Sequence, residues 1–303
     1  MSSTFILCPG QGSQVLGMGK DLVESSAGAR EAFEVAGRVL GFDLAAVCAF
    51  GPEDKLNQTD MSQPALFACG VASFRAAVET GRIDPAAVTA YAGLSLGEYT
   101  ALHLAGVLSY EDGLRLVAAR GKYMQLAAVA SPSGMVAVIG ADSAAVDELI
   151  KESAGGEVLV PANYNAPGQI VISGTLSACE RAVKFAEAKG VRAVALKVAG
   201  AFHSPLMQPG ADRMGGELDK VTFHTPAKQV WSNVTGAPHG TDLAEIKRLL
   251  VRQITHPVRW EQTMVALVAA APEGRYVELA PGKTLAGLAK RINRRLPVET
   301  LGA

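Results

Sequence analysis

Val88-Thr89-Ala90-Tyr91-Ala92-Gly93-Leu94-Ser95-Leu96-Gly97-Glu98-Tyr99 is the stretch around which the chain is organised. An apolar run rich in strand formers ends at Gly93, and a helical pattern begins just after Ser95. Between them stands Gly-x-Ser-x-Gly, the spacing of a nucleophile elbow. Its two glycines let the backbone turn sharply and leave room around the serine. The hydroxyl then sits at the N-terminus of the next helix, where free N–H groups and the helix dipole favour a developing negative charge. The same residues have a plainer reading. Ser95-x-x-Glu98 spells a capping box, in which Ser95 is only an N-cap.

Composition narrows the classes. The 303 residues give room for one large domain or two modest ones. Ala, Gly, Val and Leu dominate, as in α/β proteins with small-residue helix–sheet packing. A formal net charge of −1 argues against an electrostatic binder of nucleic acid or membrane. No long apolar block and no basic-then-apolar leader is present, so a soluble, unexported, cytoplasmic protein is expected. Cys8, Cys48, Cys69 and Cys179 are scattered, with no Cys-x-x-Cys pair, and read as reduced, mostly buried thiols. The histidines are dispersed as well, so no metal site is expected.

Working outward from the elbow, Thr4–Cys8 reads as a buried strand running into Pro9-Gly10-Gln11-Gly12-Ser13-Gln14. This turn is rich in backbone N–H groups. It lacks the third glycine of a dinucleotide loop and the Lys-Ser/Thr ending of a P-loop. It is either a tight strand-to-helix turn or a loop that lends donors to an oxyanion. Helical patterns follow over about 21–47, and Gln63-Pro64 opens another. Ser109-Tyr110-Glu111-Asp112 starts the helix that carries Arg120. Leu116, Arg120 and Met124 are four apart and lie in one line, whereas Arg115 and Lys122 point the other way. Arg120 therefore sits in the apolar arc, and a buried guanidinium is costly unless paired with an anion. That anion is either an internal carboxylate or a carboxylate on the substrate.

Residues 131–199 have their own order: strand 135–139, helix 143–152, strands 157–162 and 169–173 joined through Asn163-Tyr164-Asn165-Ala166-Pro167-Gly168, helix 177–188, and strand 192–198. That is βαββαβ, a small ferredoxin-like subdomain inserted in a larger one. The expected architecture is α/β: an α/β-hydrolase-like subdomain bearing the elbow, built from residues 1–130 and 200–303, plus the insert. Past the insert, Gly200-Ala201-Phe202-His203-Ser204-Pro205 returns the chain to the large part and puts His203 in a loop at the junction, where clefts form. Strands over 230–233 and 276–279, a helix over 243–251 and a basic final helix over 284–294 complete the pattern.

Six segments in this order carry a family resemblance: Pro9-Gly10-Gln11-Gly12-Ser13-Gln14, Gly93-Leu94-Ser95-Leu96-Gly97-Glu98, Arg120-Gly121-x-x-Met124, Asn163-x-Asn165-x-Pro167-Gly168-Gln169, Gly200-Ala201-Phe202-His203-Ser204 and Gln253-x-x-x-Pro257-Val258-x-Trp260. Together they resemble the malonyl-CoA:acyl carrier protein transacylases of fatty acid synthesis, relatives of polyketide synthase acyltransferases, over nearly the whole chain. The resemblance implies Ser95 as nucleophile, His203 as general base and Gln253 as the residue whose carbonyl orients that base. It implies Arg120 as the partner of the malonyl carboxylate, Gln11 and Leu96 as oxyanion donors, and Asn163 as a polar residue lining the substrate cleft. Phe202, just before His203, is implied to crowd the malonyl α-carbon. Many relatives have histidine directly before the nucleophile; here it is Leu94.

The resemblance further implies an acyltransferase that acts by ping-pong through a malonyl-serine, with malonyl-CoA and acyl carrier protein as partners and no metal or redox cofactor. No nucleic acid or membrane partner is expected, and the chain is expected to act as a monomer. A serine esterase or thioesterase would use the same serine and histidine, and Arg120 in the apolar arc is what favours a substrate with a free carboxylate. A non-catalytic carrier-binding protein is a third reading, opposed by the complete set of matched positions. Because acyl carrier proteins are acidic, local positive charge should mark the docking face. Lys290, Arg291, Arg294 and Arg295 on the final helix are the candidates, with Lys189 and Arg192 facing them across the cleft. The competing reading is a solvated helix C-terminus, where cations are favourable anyway.

Overall fold

In the computed structural model, residues 3–302 are described. Their strands run in chain order as β1 (Thr4–Cys8), β2 (Val88–Gly93), β3 (Ser133–Ile139), β4 (Leu159–Ala166), β5 (Gln169–Thr175), β6 (Arg192–Ala195), β7 (Gln229–Val230), β8 (Arg275–Glu278) and β9 (Val298–Thr300). They form two sheets with different hydrogen-bond patterns. One is five-stranded and parallel throughout, in the order β7-β2-β1-β8-β9. The other is four-stranded and antiparallel throughout, in the order β4-β5-β3-β6.

The parallel sheet is buried on both faces, and β1 shows why. Side chains alternate across a strand, so Phe5 and Leu7 enter one apolar cluster with Ala90, Ala92 and Tyr276. Ile6 and Cys8 enter the opposite one with Tyr91 and Val277. A strand apolar on both faces needs helices on both, which is the parallel arrangement. The long helix Thr59–Glu79 lies in the larger cluster and is apolar almost all round, as a fully enclosed helix must be. It starts at Thr59 rather than at Gln63-Pro64, so Pro64 falls inside its second turn.

The antiparallel sheet is divided the same way. Val136, Val138, Ile170 and Ile172 pack under helices Ser143–Ala154 and Leu176–Ala188. Met135, Ala137 and Val171, one step out of phase, join the core of the parallel sheet's side. The two layers are stitched at β4. Asn163 makes a parallel bridge to Val258, with Val258 N–H donating to the Ala162 carbonyl at 2.8 Å and Tyr164 N–H to the Val258 carbonyl at 2.9 Å. This outside partner holds residues 163–166 extended, so β4 runs on to Ala166 and the turn is only Pro167-Gly168. The sequence places Asn163 and Asn165 in a loop; they are strand residues.

At the other end of the chain, the final helix spans Thr284–Ile292 and stops at Asn293. Glu278 at the end of β8 receives its free N-terminal donors, Leu285 N–H and Ala286 N–H, both at 2.8 Å. Arg294 and Arg295 therefore lie beyond the helix, and the helical spacing that sets them beside Lys290 and Arg291 does not apply.

Candidate active site

Ser95 and His203 are the two non-glycine residues with positive φ among the described residues, at 53° and 58°. An L-residue in the left-handed region costs on the order of 1 kcal/mol or more, and such strain clusters where function demands it. At the elbow the reason is local. Strand β2 ends at Gly93, and the chain reverses into helix Gly97–Leu104 with no room for side chains at either end. A Cβ on Gly93 would collide with the Gly97 backbone, and one on Gly97 with the Cys8 carbonyl of β1. Leu96, not Ser95, holds the cap position, and no side chain caps this helix. Ser95 and Glu98 are both turned to other partners, which removes the capping-box reading.

Ser95 Oγ lies 2.9 Å from His203 Nε2, across 108 residues of sequence. His203 Nδ1 lies 2.6 Å from the backbone carbonyl of Gln253. A carbonyl only accepts, so Nδ1 carries the proton and Nε2 is left as the acceptor for the serine hydroxyl. Gln253 ends helix Leu243–Gln253, which presents its carbonyl free of an intrahelical partner. Its side chain is equally engaged: Nε2 donates to the Ser95 carbonyl at 2.9 Å and Oε1 accepts from Arg120 Nη2 at 2.8 Å.

Helix Tyr110–Ala130 buries Leu116, Arg120 and Met124 and exposes Lys122, as the four-residue spacing predicts. Arg120 is 1% exposed. Its Nη1 donates to Gln63 Oε1 at 2.7 Å and its Nη2 to Ser95 Oγ at 3.0 Å. Among the described residues no carboxylate pairs with it directly. The internal ion pair is therefore absent, and three neutral oxygens receive the guanidinium. Asn233 fixes the elbow from the far side, with Oδ1 accepting Ser95 N–H at 2.6 Å and Nδ2 donating to the Gly93 carbonyl at 2.7 Å. By contrast the backbone N–H groups of Gln11 and Leu96 donate to nothing among the described residues.

A cleft of about 480 Å³ opens between the two layers. Gln11, Leu94, Ser95, Met124, Met135, Asn163, Val171, Phe202, His203 and Leu288 line it. Arg120 lies just beneath this lining and reaches the cleft through the Ser95 hydroxyl. A larger groove of about 670 Å³, between helices Gln208–Asp219 and Leu243–Gln253, holds none of these side chains. Phe202 is nearly buried at the cleft wall, its carbonyl held by Ser173 Oγ at 2.6 Å. Lys290, Arg291, Arg294 and Arg295 are exposed and make no ion pair among the described residues. Lys189 pairs with Glu148 at 3.3 Å.

His203 is buried beside a guanidinium. Desolvation, then the charge of Arg120, push its pKa down from 6.5 to about 4. The imidazole is thus neutral, and ready to accept a proton, well below neutral pH. Burying it neutral contributes stability that is present above about 6.5 and is lost as pH falls through about 4. Any activity that uses His203 as its base is expected to show the acidic limb of its kcat/KM near pH 4. In Arg120→Ala it should move to higher pH. A limb near 6.5 in the wild-type protein would contradict the burial of this imidazole.

Sequence reasoning missed Gln63, which receives Arg120, Asn233, which holds the elbow, and the Glu98–His239 contact of 2.6 Å behind it. Gln63 had a usable signal, since it sits on a buried helix and a buried arginine needs polar partners. Asn233 and His239 lie in a turn after β7, with no local pattern to mark them. Among the described residues no helix is long and apolar enough to cross a membrane.

Along nearly its whole length the chain is similar to proteins of one family. The family described as "Acyl transferase domain" matches residues 4–299. The malonyl CoA-acyl carrier protein transacylase of Salmonella typhimurium is 42% identical over 100% of this chain and 95% of its own length. That of Bacillus subtilis is 40% identical over 98% of this chain and 92% of its own. The solved malonyl-CoA:acyl carrier protein transacylase of Xanthomonas oryzae superposes with a TM-score of 0.93 at 43% identity, covering 99% of this chain and 95% of that one. A malonyl-transacylase solved in complex with a type II PKS acyl-carrier protein gives 0.92 at 39% identity, covering 100% and 96%. With matches of this identity running the length of the chain, the protein belongs to the acyl transferase family, among its malonyl CoA-acyl carrier protein transacylases.

Proposed function

We propose that this enzyme moves a malonyl group from malonyl-CoA to the phosphopantetheine thiol of acyl carrier protein, with Ser95 as nucleophile and His203 as base. The observation that carries the proposal is the unbroken chain from Ser95 Oγ to His203 to the Gln253 carbonyl, with a buried arginine on the same hydroxyl. His203 Nε2 takes the Ser95 proton as Oγ bonds to the thioester carbonyl carbon. The oxyanion is received by the Gln11 and Leu96 N–H groups; losing one such donor typically costs about 3 kcal/mol. The carbon–sulfur bond breaks, coenzyme A leaves with the proton from His203, and a malonyl-serine ester remains. The carrier thiol then repeats the sequence in reverse, so the kinetics are ping-pong. No step calls for a metal or redox cofactor.

Arg120 would exchange its bond to Ser95 Oγ for a bidentate pair with the malonyl carboxylate. That exchange frees the hydroxyl as the substrate seats, and it favours an acyltransferase for a charged acyl group over an esterase. Asn163 contributes a polar wall, and Phe202 limits the space at the α-carbon. Replacing Phe202 with serine should raise methylmalonyl use relative to malonyl; an unchanged ratio in competition assays would remove this role.

The architecture reads as a hydrolase-like subdomain, residues 1–130 and 200–303, with a ferredoxin-like insert at 131–199. The βαββαβ order and the strand order β4-β5-β3-β6 support the second description. Three charges, Lys290, Arg291 and Arg294, are offered as the core of a carrier docking face, with Arg295 beside them, on and just past the helix whose Thr284 and Leu288 line the cleft. Lys189 enters this face only by giving up its pairing with Glu148. Reversing Arg291 and Arg294 to Glu should raise the KM for carrier protein, more strongly at low salt. Acylation by malonyl-CoA should stay the same. Equal losses in both half-reactions would return these residues to ordinary surface charge. A monomer in the cytoplasm suffices for the scheme, since one chain holds every group. The overall proposal is tested by incubating the protein with several acyl-CoAs and phosphopantetheinylated carrier and reading the carrier mass.

A further inference from the structure

One buried acid touches both halves of the site and takes part in none of the steps above. Glu98 stands in the first turn of helix Gly97–Leu104 and is 1% exposed. Its Oε2 accepts from Gln253 Nε2 at 2.6 Å and from Asn233 N–H at 3.1 Å. Its Oε1 lies 2.6 Å from His239 Nε2. With Gln253 Nε2 and Asn233 N–H both donating to it, Oε2 serves as an acceptor only. Each partner leads somewhere specific. Asn233 holds the Ser95 N–H. Gln253 holds His203 by its carbonyl and Arg120 by its side chain.

His239 is the unexpected member. Thr235, Ala237, Pro238 and Gly240 around it are exposed, yet the His239 side chain is 0% exposed. Its turn is pinned by His239 N–H to the Val230 carbonyl at 2.7 Å and by the Trp231–Pro238 bridge. Nδ1 has no partner among the described residues. A charged imidazolium would leave an N–H unpaired in the interior, which costs more than an unused lone pair. The geometry thus favours the neutral ring, with Nε2–H donating to Glu98. Neutral His239 leaves the negative charge of Glu98 to face the positive charge of Arg120, with the Gln253 amide between them.

We propose that Glu98, held in place by His239, is the positioning carboxylate of this site: through the Gln253 amide it balances buried Arg120 and fixes the residue that orients His203. Gln253 is thereby gripped at both ends of its side chain, by Arg120 on Oε1 and by Glu98 on Nε2. Its backbone carbonyl cannot shift without breaking one grip. The inference rests on the assignment of Ser95, His203 and Arg120 to acyl transfer.

The test uses the acylation half-reaction with malonyl-CoA and acetyl-CoA, normalised to titratable active sites. In Glu98→Gln the new amide sets an N–H against a neighbouring N–H, or forces the His239 proton onto Nδ1, where nothing accepts it. Malonyl acylation should fall about 10²-fold, the scale of losses from misplacement by an ångström, and the malonyl-over-acetyl preference should narrow. Damage to the fold alone would lower the titratable fraction and leave the preference of the remaining sites intact. His239→Leu fills the space without a donor and should behave like Glu98→Gln. His239→Gln, which can still donate to Glu98, should recover most of the loss. Wild-type rates and preference in Glu98→Gln, or equal behaviour of the two His239 variants, would overturn the proposal. Ser95→Ala run in parallel separates the failures: if it still acylates, the site assignment itself is wrong.

Discussion

Ser95→Ala is expected to abolish malonyl-enzyme formation, with a fall on the order of 10⁶-fold, the scale seen when a serine nucleophile is removed from its triad. The fold should survive. The hydroxyl's two bonds, to His203 and Arg120, are lost, but Ser95 N–H stays with Asn233 and its carbonyl with Gln253. Those backbone contacts, rather than the hydroxyl, hold φ at 53°. Circular dichroism and thermal melting should therefore match wild type closely, while rapid-quench assays of acyl transfer from malonyl-CoA fall to background. Residual acylation at the wild-type rate would place the nucleophile elsewhere.

Arg120→Ala carries the second large effect, and its signature is selectivity. A guanidinium that is 1% exposed faces no carboxylate directly, and Glu98 reaches it only through the Gln253 amide, so its positive charge stays available at the bottom of the cleft. Under the proposed scheme an incoming malonyl carboxylate would pair with it in a partly desolvated place, where a charge-assisted bidentate contact is strong. Malonyl transfer should fall by about 10²–10⁴-fold, in line with losing one buried charged pair of about 3–5 kcal/mol. Acetyl transfer should fall far less. Lysine restores the charge but not the planar fork, and it leaves Gln63 or Gln253 unserved, so Arg120→Lys should recover only part of the loss. Parallel kcat/KM measurements with the two acyl-CoAs check this; equal losses for both would mean that Arg120 serves the histidine and serine rather than the acyl group.

Much of this was legible in the residues because it is encoded locally. Gly93-x-Ser95-x-Gly97 after an apolar run specifies an elbow, and the structure adds that each glycine is required by a backbone contact. The four-residue line through Leu116, Arg120 and Met124 put Arg120 inside before any partner was known. The βαββαβ order over Ser133–Ala195 followed from alternating periodicities. What escaped is what depends on distant partners. β4 runs through Asn163 to Ala166 because Val258 pairs with it from outside. β9 is three residues long and exists because β8 offers an edge. Glu98 fits a capping box by spacing, yet its carboxylate is claimed by Gln253, Asn233 and His239, all more than 130 residues away. A local rule lost to a tertiary network, and that happened at the candidate site, as conflicts of this kind do at functional sites.

The most direct test is to mix the protein with malonyl-CoA, digest it, and map the acyl adduct by mass spectrometry before and after adding phosphopantetheinylated carrier. The account predicts a malonyl ester on the peptide that contains Ser95, persistent without carrier and discharged onto the carrier thiol when it is added. An adduct on another residue, or one that water clears as fast as carrier does, would contradict it.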